Sequence, residues 1–274
     1  MRLLFLGTAA AEGYPGIFCD CDYCREARAL GGKNLRFRSA MLINQDLLID
    51  FGPDLLAASQ RFNVSLSHIT TGLVTHAHAD HFHLGNFEMR GQPFTARLPI
   101  PTLNLFGPPD AIQAVHQAYP HLDELRMTAQ AVNAFTTWET NGYQMTSYQA
   151  YHAIGGELTC LFYSISDGKH NILYATDTGP FPEATWQALS GRVFDVMILE
   201  ETLGNGTYAA HLGFEGFLDH CRRFTREGLL KPGGRIIAHH LSHSGNPPHA
   251  KLEAILNPHG VEVAYDGMIV DLED

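Results

Sequence analysis

The densest chemistry in this 274-residue chain lies in Thr75-His76-Ala77-His78-Ala79-Asp80-His81. Imidazole nitrogens and a carboxylate are borderline-to-hard donors suited to Zn, Mn or Fe. The run follows an apolar segment, Gly72–Thr75, that reads as a strand. Its donors therefore sit on a loop at a strand end. Alternation puts His76 and His78 on the same side, and a tight loop turns Asp80 and His81 toward a second ion. The bland reading is a histidine-rich surface loop. The spacing of the donors speaks against it.

A second cluster is Cys19-Asp20-Cys21-Asp22-Tyr23-Cys24. A structural zinc takes four soft or borderline ligands in a tetrahedron. Three local thiols leave one position, and no nearby residue suits it; His243, far along the chain, is a candidate. The chain has 5 cysteines. An odd count with three packed together argues against a disulfide framework and for a metal site. Cys160 and Cys221 fall in a strand and a helix candidate and read as core.

The elements that position these donors read as short strands alternating with amphipathic stretches. Strands are expected at Arg2–Leu6, Ser39–Asn44, Leu47–Asp50, Gly72–Thr75, Thr102–Phe106, Met145–Tyr151, Thr159–Ile165, Asn171–Ala175, Val193–Leu199, Arg235–His239 and Met268–Leu272. Helices are expected at Pro53–Phe62, Pro109–Ala118, Pro182–Leu189, Phe214–Glu227 and Pro248–Leu256. Four of these begin at proline, whose missing N–H costs nothing in a first turn. Gly228 suits a helix stop. No linker-like tract and no repeat divides the chain, so one domain spanning 1–274 is expected. Sheets packed face to face, with helices outside, satisfy this pattern.

Composition narrows the function. Lys plus Arg is 18 and Asp plus Glu is 29, giving 18 − 29 = −11. Hydrophobic residues make up 45%, which excludes a disordered chain. The acidic balance argues against a general nucleic-acid binder and against anchoring to an anionic membrane. No apolar run approaches the ~20 residues of a spanning helix. The apolar start Met1–Gly7 is too short for a signal peptide. A soluble, cytoplasmic protein is expected.

The His-x-His-x-Asp-His run resembles the metallo-β-lactamase superfamily. The resemblance asks for further residues in order, and the sequence supplies them. Asp50 ends Leu47-Leu48-Ile49-Asp50, His152 follows Tyr151, Asp177 lies in Ala175-Thr176-Asp177-Thr178-Gly179, and Ala238-His239-His240 carries a late histidine. The resemblance implies an α+β, four-layer αββα sandwich. It implies a first metal on His76, His78 and His152 and a second on Asp80, His81 and His240, with Asp177 bridging. It makes Asp50 a catalytic-site carboxylate that orients a ligand or the reacting water.

The cysteine loop is similar to one branch of that superfamily, the PhnP-like cyclic phosphodiesterases; PqqB-like proteins carry a comparable loop. In that branch a histidine three residues after the late metal ligand completes a structural zinc. His240-Leu241-Ser242-His243 fits that spacing, which favours His240 over His239 as the ligand. The related enzymes carry a proton-donating histidine where His211 stands, and Glu200 and Glu201 replace the His-Glu pair often found in tRNase Z. Glu12 and Tyr14 are candidates to line the mouth.

Three cofactor ions follow from the resemblance: two active-site divalent metals (Zn, Mn or Fe) and one structural Zn. Two metals sharing an activated water suit phosphodiester hydrolysis with His211 as general acid. The expected partner is a small anionic substrate, with no nucleic acid and no membrane; a homodimer suits the related proteins. The same centre also suits lactone, thioester or β-lactam hydrolysis. PqqB-like oxidative chemistry at iron and a non-catalytic metal-bound scaffold are the other readings.

Overall fold

The computed structural model describes residues 1–96, 99–152 and 159–273. Two seven-stranded sheets form its centre. The first contains β1 (Arg2–Gly7), β2 (Ala40–Ile43), β3 (Leu47–Ile49), β4 (Thr71–Leu73), β5 (Leu103–Gly107), β6 (Met127–Ala131) and β14 (Ile269–Asp271). The second contains β7 (Thr137–Thr140), β8 (Tyr143–Gln149), β9 (Leu161–Ser166), β10 (Asn171–Ala175), β11 (Phe194–Glu200), β12 (Leu230–His239) and β13 (Val261–Val263). The spatial orders are β14-β1-β2-β3-β4-β5-β6 and β13-β12-β11-β10-β9-β8-β7.

Alternation along the strands explains the layers. In β11, Val196 and Ile198 join the apolar layer between the sheets, where they meet Leu3, Phe5 and Ile49. Met197 and Leu199 point the other way, to a second core. That core holds Trp186 of α5 (Glu183–Leu189), Phe217 and Phe224 of α6 (Phe214–Arg226), and Leu252 of α7 (His249–Leu256). Helices α2 (Leu55–Arg61) and α4 (Pro109–Ala118) cover the outer face of the first sheet through Leu55, Ala58, Ile112 and Val115. The architecture is the αββα sandwich. Burying the inter-sheet face of Val196 or Ile198 contributes roughly 1.5–3 kcal/mol each.

The expected strands and helices are present, Asn171–Ala175 and Pro109–Ala118 with unchanged ends and the others with ends moved by up to five residues. Five elements were not expected: β6, β7, β13, α1 (Asp22–Leu30) and α3 (Gly85–Glu88). The three strands are short or lie at or next to a sheet edge, where sequence alternation is weak. Helix α1 begins at the thiols: Cys21 caps it, its sulfur accepting from Cys24 N at 3.5 Å.

Topology decides where a site can lie. β3, β4 and β5 run parallel, as do β10, β11 and β12. The carboxyl ends of β3, β4, β10, β11 and β12 gather the chain around Asp50, Thr75–His81, Asp177, Glu200 and His240. Polar side chains can collect there without interrupting a ladder. None of the helices is long and apolar enough to cross a membrane among the described residues.

Candidate metal centre

Asp50 is the hub beneath the histidine loop. It is fully buried and its Oδ1 accepts from Thr75 N at 2.8 Å and Thr75 Oγ1 at 2.9 Å. Its Oδ2 lies 2.6 Å from His81 Nδ1. That contact leaves His81 Nε2 facing the cluster. Asp50 thus orients one of the candidate ligands. The loop is seated by backbone bonds from Phe51 N to the His81 carbonyl and from His83 N to the Phe51 carbonyl. Gly52 lets it settle, since a Cβ there would stand 2.0 Å from the Asp80 carbonyl oxygen.

Two donor groups meet at Asp177. His76, His78, His152 and Asp177 each offer a ligand atom within 4.8 Å of the others, and so do Asp80, His81, Asp177 and His240. Asp177 Oδ2 lies 3.1 Å from His76 Nε2, 3.3 Å from His81 Nε2 and 3.6 Å from His240 Nε2. His76 Nε2 stands 2.8 Å from His78 Nδ1, His152 Nε2 3.1 Å from His78 Nδ1, and His81 Nε2 3.3 Å from His240 Nε2. Convergent ring nitrogens and carboxylates in a buried space require positive charge among them. Asp177 Oδ1 is buried without a hydrogen-bond partner. The donor set therefore fits two divalent ions with mixed nitrogen and oxygen ligands.

Backbone geometry sets the aim. Asp50, Asp177 and His240 have φ of 64°, 58° and 58°, left-handed values that L residues adopt at a cost. Each follows a strand end and turns its side chain inward there. His239 ends β12 and points elsewhere, its Nε2 3.2 Å from the Gly7 carbonyl oxygen and its Nδ1 3.4 Å from Ser39 Oγ. Thr202 Oγ1 meets His240 Nδ1 at 2.9 Å and so fixes that ring.

Electrostatics follow from burial and charge. Burial alone lowers the His81 pKa, but the charges of Asp50 and Asp80 outweigh it and hold it well above the usual value. Asp177 is pushed upward by burial and drawn well below its ordinary range by His240 and His76. Burial takes His152 down to about 4 and His240 down to about 3, against the pull of Asp177.

His211 stands beside the cluster, its side chain 18% exposed. Its Nδ1 lies 2.8 Å from Glu200 Oε1 and 3.4 Å from Asp177 Oδ1. Glu200 is fully buried and also accepts from Leu212 N at 2.9 Å and from Thr178 N. This pairing was not evident in the sequence. Its one signal was a carboxylate at the end of the strand between β10 and β12. Burial opposes charge on His211, but the Glu200 bond outweighs it and raises the pKa to about 9.

The cysteines close with a distant histidine. Cys19, Cys21, Cys24 and His243 place a sulfur or nitrogen within 4.8 Å of one another. Cys21 Sγ lies 3.8 Å from His243 Nδ1. Gly16 makes room, because a Cβ there would meet His243 Nε2 at 2.6 Å. Three sulfurs and one imidazole match a tetrahedral zinc site in kind and number. Tyr14 does not line the mouth; it is buried, with its hydroxyl donating to the Asn246 carbonyl at 2.9 Å. Its apolar ring takes it into a small core with Ala9 and Ala27.

The chain belongs to the beta-lactamase superfamily: the model of the beta-lactamase superfamily domain matches residues 45–240, more than half of its length. Three solved structures share the fold across nearly the whole chain. A diphosphatase from the PhnP family is 22% identical, with 99% of this chain and 98% of that one covered and a TM-score of 0.77. Zinc-bound PqqB from Methylobacterium extorquens is 20% identical over 99% and 100%, TM-score 0.78. The short form of human tRNase Z is 17% identical over 100% of each, TM-score 0.68. At these identities the likeness is one of fold. No curated protein matches the sequence.

Proposed function

We propose that the protein is a dinuclear metal-dependent phosphodiesterase acting on a small, cyclic phosphodiester. The observation that carries this reading is the pair of donor groups sharing Asp177, with His211 held beside them by Glu200. His76, His78, His152 and Asp177 would hold one divalent ion; Asp80, His81, Asp177 and His240 would hold the other. When bound, such ions supply a water of lowered pKa and a clamp for the oxygens of an in-line displacement. Asp177 fixes the spacing between the two donor groups, and Asp50 keeps the His81 ring in place. Glu200 occupies His211 Nδ1, which leaves Nε2 to hand a proton to the leaving oxygen. Cys19, Cys21, Cys24 and His243 would hold a structural zinc that ties the first loop to the loop carrying His240.

Charge supports a small anionic substrate. Two divalent ions would give +4, and their own ligands Asp80 and Asp177 with a hydroxide −3, so the metals with the groups that touch them would be about +1, with the Asp50 carboxylate behind His81, in a chain of −11. A long polyanion would be repelled outside it. The test is chelation, reloading with Zn, Mn or Fe, and assay on bis-p-nitrophenyl phosphate and small cyclic phosphodiesters. Metal-dependent turnover is expected. Inertness toward all of them, with cleavage of a lactone or thioester instead, would replace this reading by the acyl-hydrolase one.

A further inference from the structure

The loop after β1 approaches the centre from outside the donor set. Ala9 bridges Leu241, and Ala10 N donates to the Leu241 carbonyl at 3.1 Å. This pairing lays Glu12 along the His240–His243 segment. The Ser242 hydroxyl donates to Glu12 Oε1, and His243 Nε2 lies 3.7 Å from that same oxygen. Glu12 is 35% exposed, so it sits at a rim rather than in the core. Its partners among the described residues are a hydroxyl and an imidazole. Neither is a guanidinium or ammonium that would cancel its charge. Ser242 stands two residues after His240, so the carboxylate is held against the segment that carries that candidate ligand.

A carboxylate at the rim of a centre that would bind phosphate oxygens discriminates by ligand charge. A phosphodiester carries one negative charge. Its hydrolysis product, a phosphomonoester, carries two at mildly alkaline pH. We propose that Glu12 is a specificity-determining residue that selects the singly charged diester over the doubly charged monoester and hastens product departure. The inference rests on the phosphodiesterase reading. A unit charge about 8 Å away, through an effective dielectric near ~40, changes the affinity for one extra charge roughly fivefold. The effect is screened by salt.

The experiment measures inhibition constants of inorganic phosphate and phenyl phosphate at pH 8. These are set against KM for bis-p-nitrophenyl phosphate, in the metal-loaded wild type, Glu12→Gln, Glu12→Asp and Ser242→Ala. Metal content and equilibrium phosphate binding are followed alongside. Glu12→Gln is expected to tighten dianion binding relative to diester binding about fivefold, with the difference shrinking between 50 and 500 mM KCl. Glu12→Asp should keep the wild-type ratio, and Ser242→Ala, which removes the hydrogen bond but not the charge, should keep it too. If Glu12→Gln loses the zinc at the cysteines, Glu12→Lys and the Ser242→Ala control decide: a ratio unmoved in Glu12→Lys overturns the inference. Diester turnover with an unchanged ratio in Glu12→Gln overturns the inference alone. So does an equal change in Ser242→Ala. No diester turnover by any metal-loaded form overturns the phosphodiesterase reading and this inference with it.

Discussion

Replacing Glu200 by Gln probes the His211 assignment. The carboxylate receives three donors: His211 Nδ1 at 2.8 Å and Leu212 N at 2.9 Å on Oε1, and Thr178 N on Oε2. Glu200→Gln keeps the shape but offers one acceptor oxygen. If that oxygen takes the Oε1 place, the amide N–H group faces Thr178 N, donor against donor. If it takes the other place, His211 and Leu212 lose their acceptor. Leaving buried donors unsatisfied costs about 1–3 kcal/mol each, and a charge-assisted bond to His211 is lost as well. The expected destabilisation is therefore about 2–4 kcal/mol, a fall in Tm of roughly 4–7 °C for a chain of this size. Loss of a positioned general acid lowers kcat about 100-fold or more. The assay compares two leaving groups. p-Nitrophenolate departs without a proton, so its diester should lose far less than an alkyl diester of equal KM. Equal losses with both would refute His211 as proton donor. An unchanged Tm would refute the account of Glu200 as a threefold acceptor.

Asp177→Ala removes the only residue shared by both donor groups, so metal analysis should fall from near three ions per chain to near one, with activity below a thousandth. Cys24→Ser should empty the cysteine site, lower Tm and loosen retention of the ions near His240; unchanged melting and full metal content would reject the bracing role. Asp266 tests pH dependence away from both sites. Burial raises its pKa to about 7, against the opposing pull of Phe37 N, Thr8 and Arg36. A raised folded pKa favours the protonated fold, so this stability is full below pH about 4 and drains as pH rises to about 7, by up to about 4 kcal/mol. Asp266→Asn, which resembles the protonated acid, should flatten that part of the denaturant-midpoint profile; the same slope in both proteins would contradict it.

Much of the centre was legible because its residue types are rare and its strand contexts repeat. His76, His78, Asp80 and His81 declare themselves by spacing alone. His152, Asp177 and His240 became candidates only through the family resemblance, since each is one polar residue after an apolar run. The choice between His239 and His240 was not available to strand alternation, because the structure leaves the strand there: φ turns to 58° at His240. Glu200 stands out as a strand-end carboxylate, but its bond to His211 is unreadable for a different reason. Its partner His211 lies eleven positions on, after a loop whose path depends on packing against β10 and β12. β6 and β7 were invisible because their exposed edge positions carry no hydrophobic alternation; pairing with β5 and β8 makes them strands.

The strained backbone and the crowded imidazoles have one common explanation. Three residues in left-handed conformations, each costing of order 1 kcal/mol or more, bring Asp50, Asp177 and His240 to the centre. The same packing presses ring nitrogens to within 3.3 Å of one another and leaves Asp177 Oδ1 without a hydrogen bond. Nothing in the apolar layers supplies a return for these costs. Cations that bind only the folded arrangement do, because their binding free energy becomes folding free energy. The cysteine site extends the same logic along the chain. It joins Cys19–Cys24 to His243, three residues beyond His240, so a zinc there would restrain the segment whose left-handed turn aims the ligand. Two metal sites so linked would steady each other through a backbone segment of four residues.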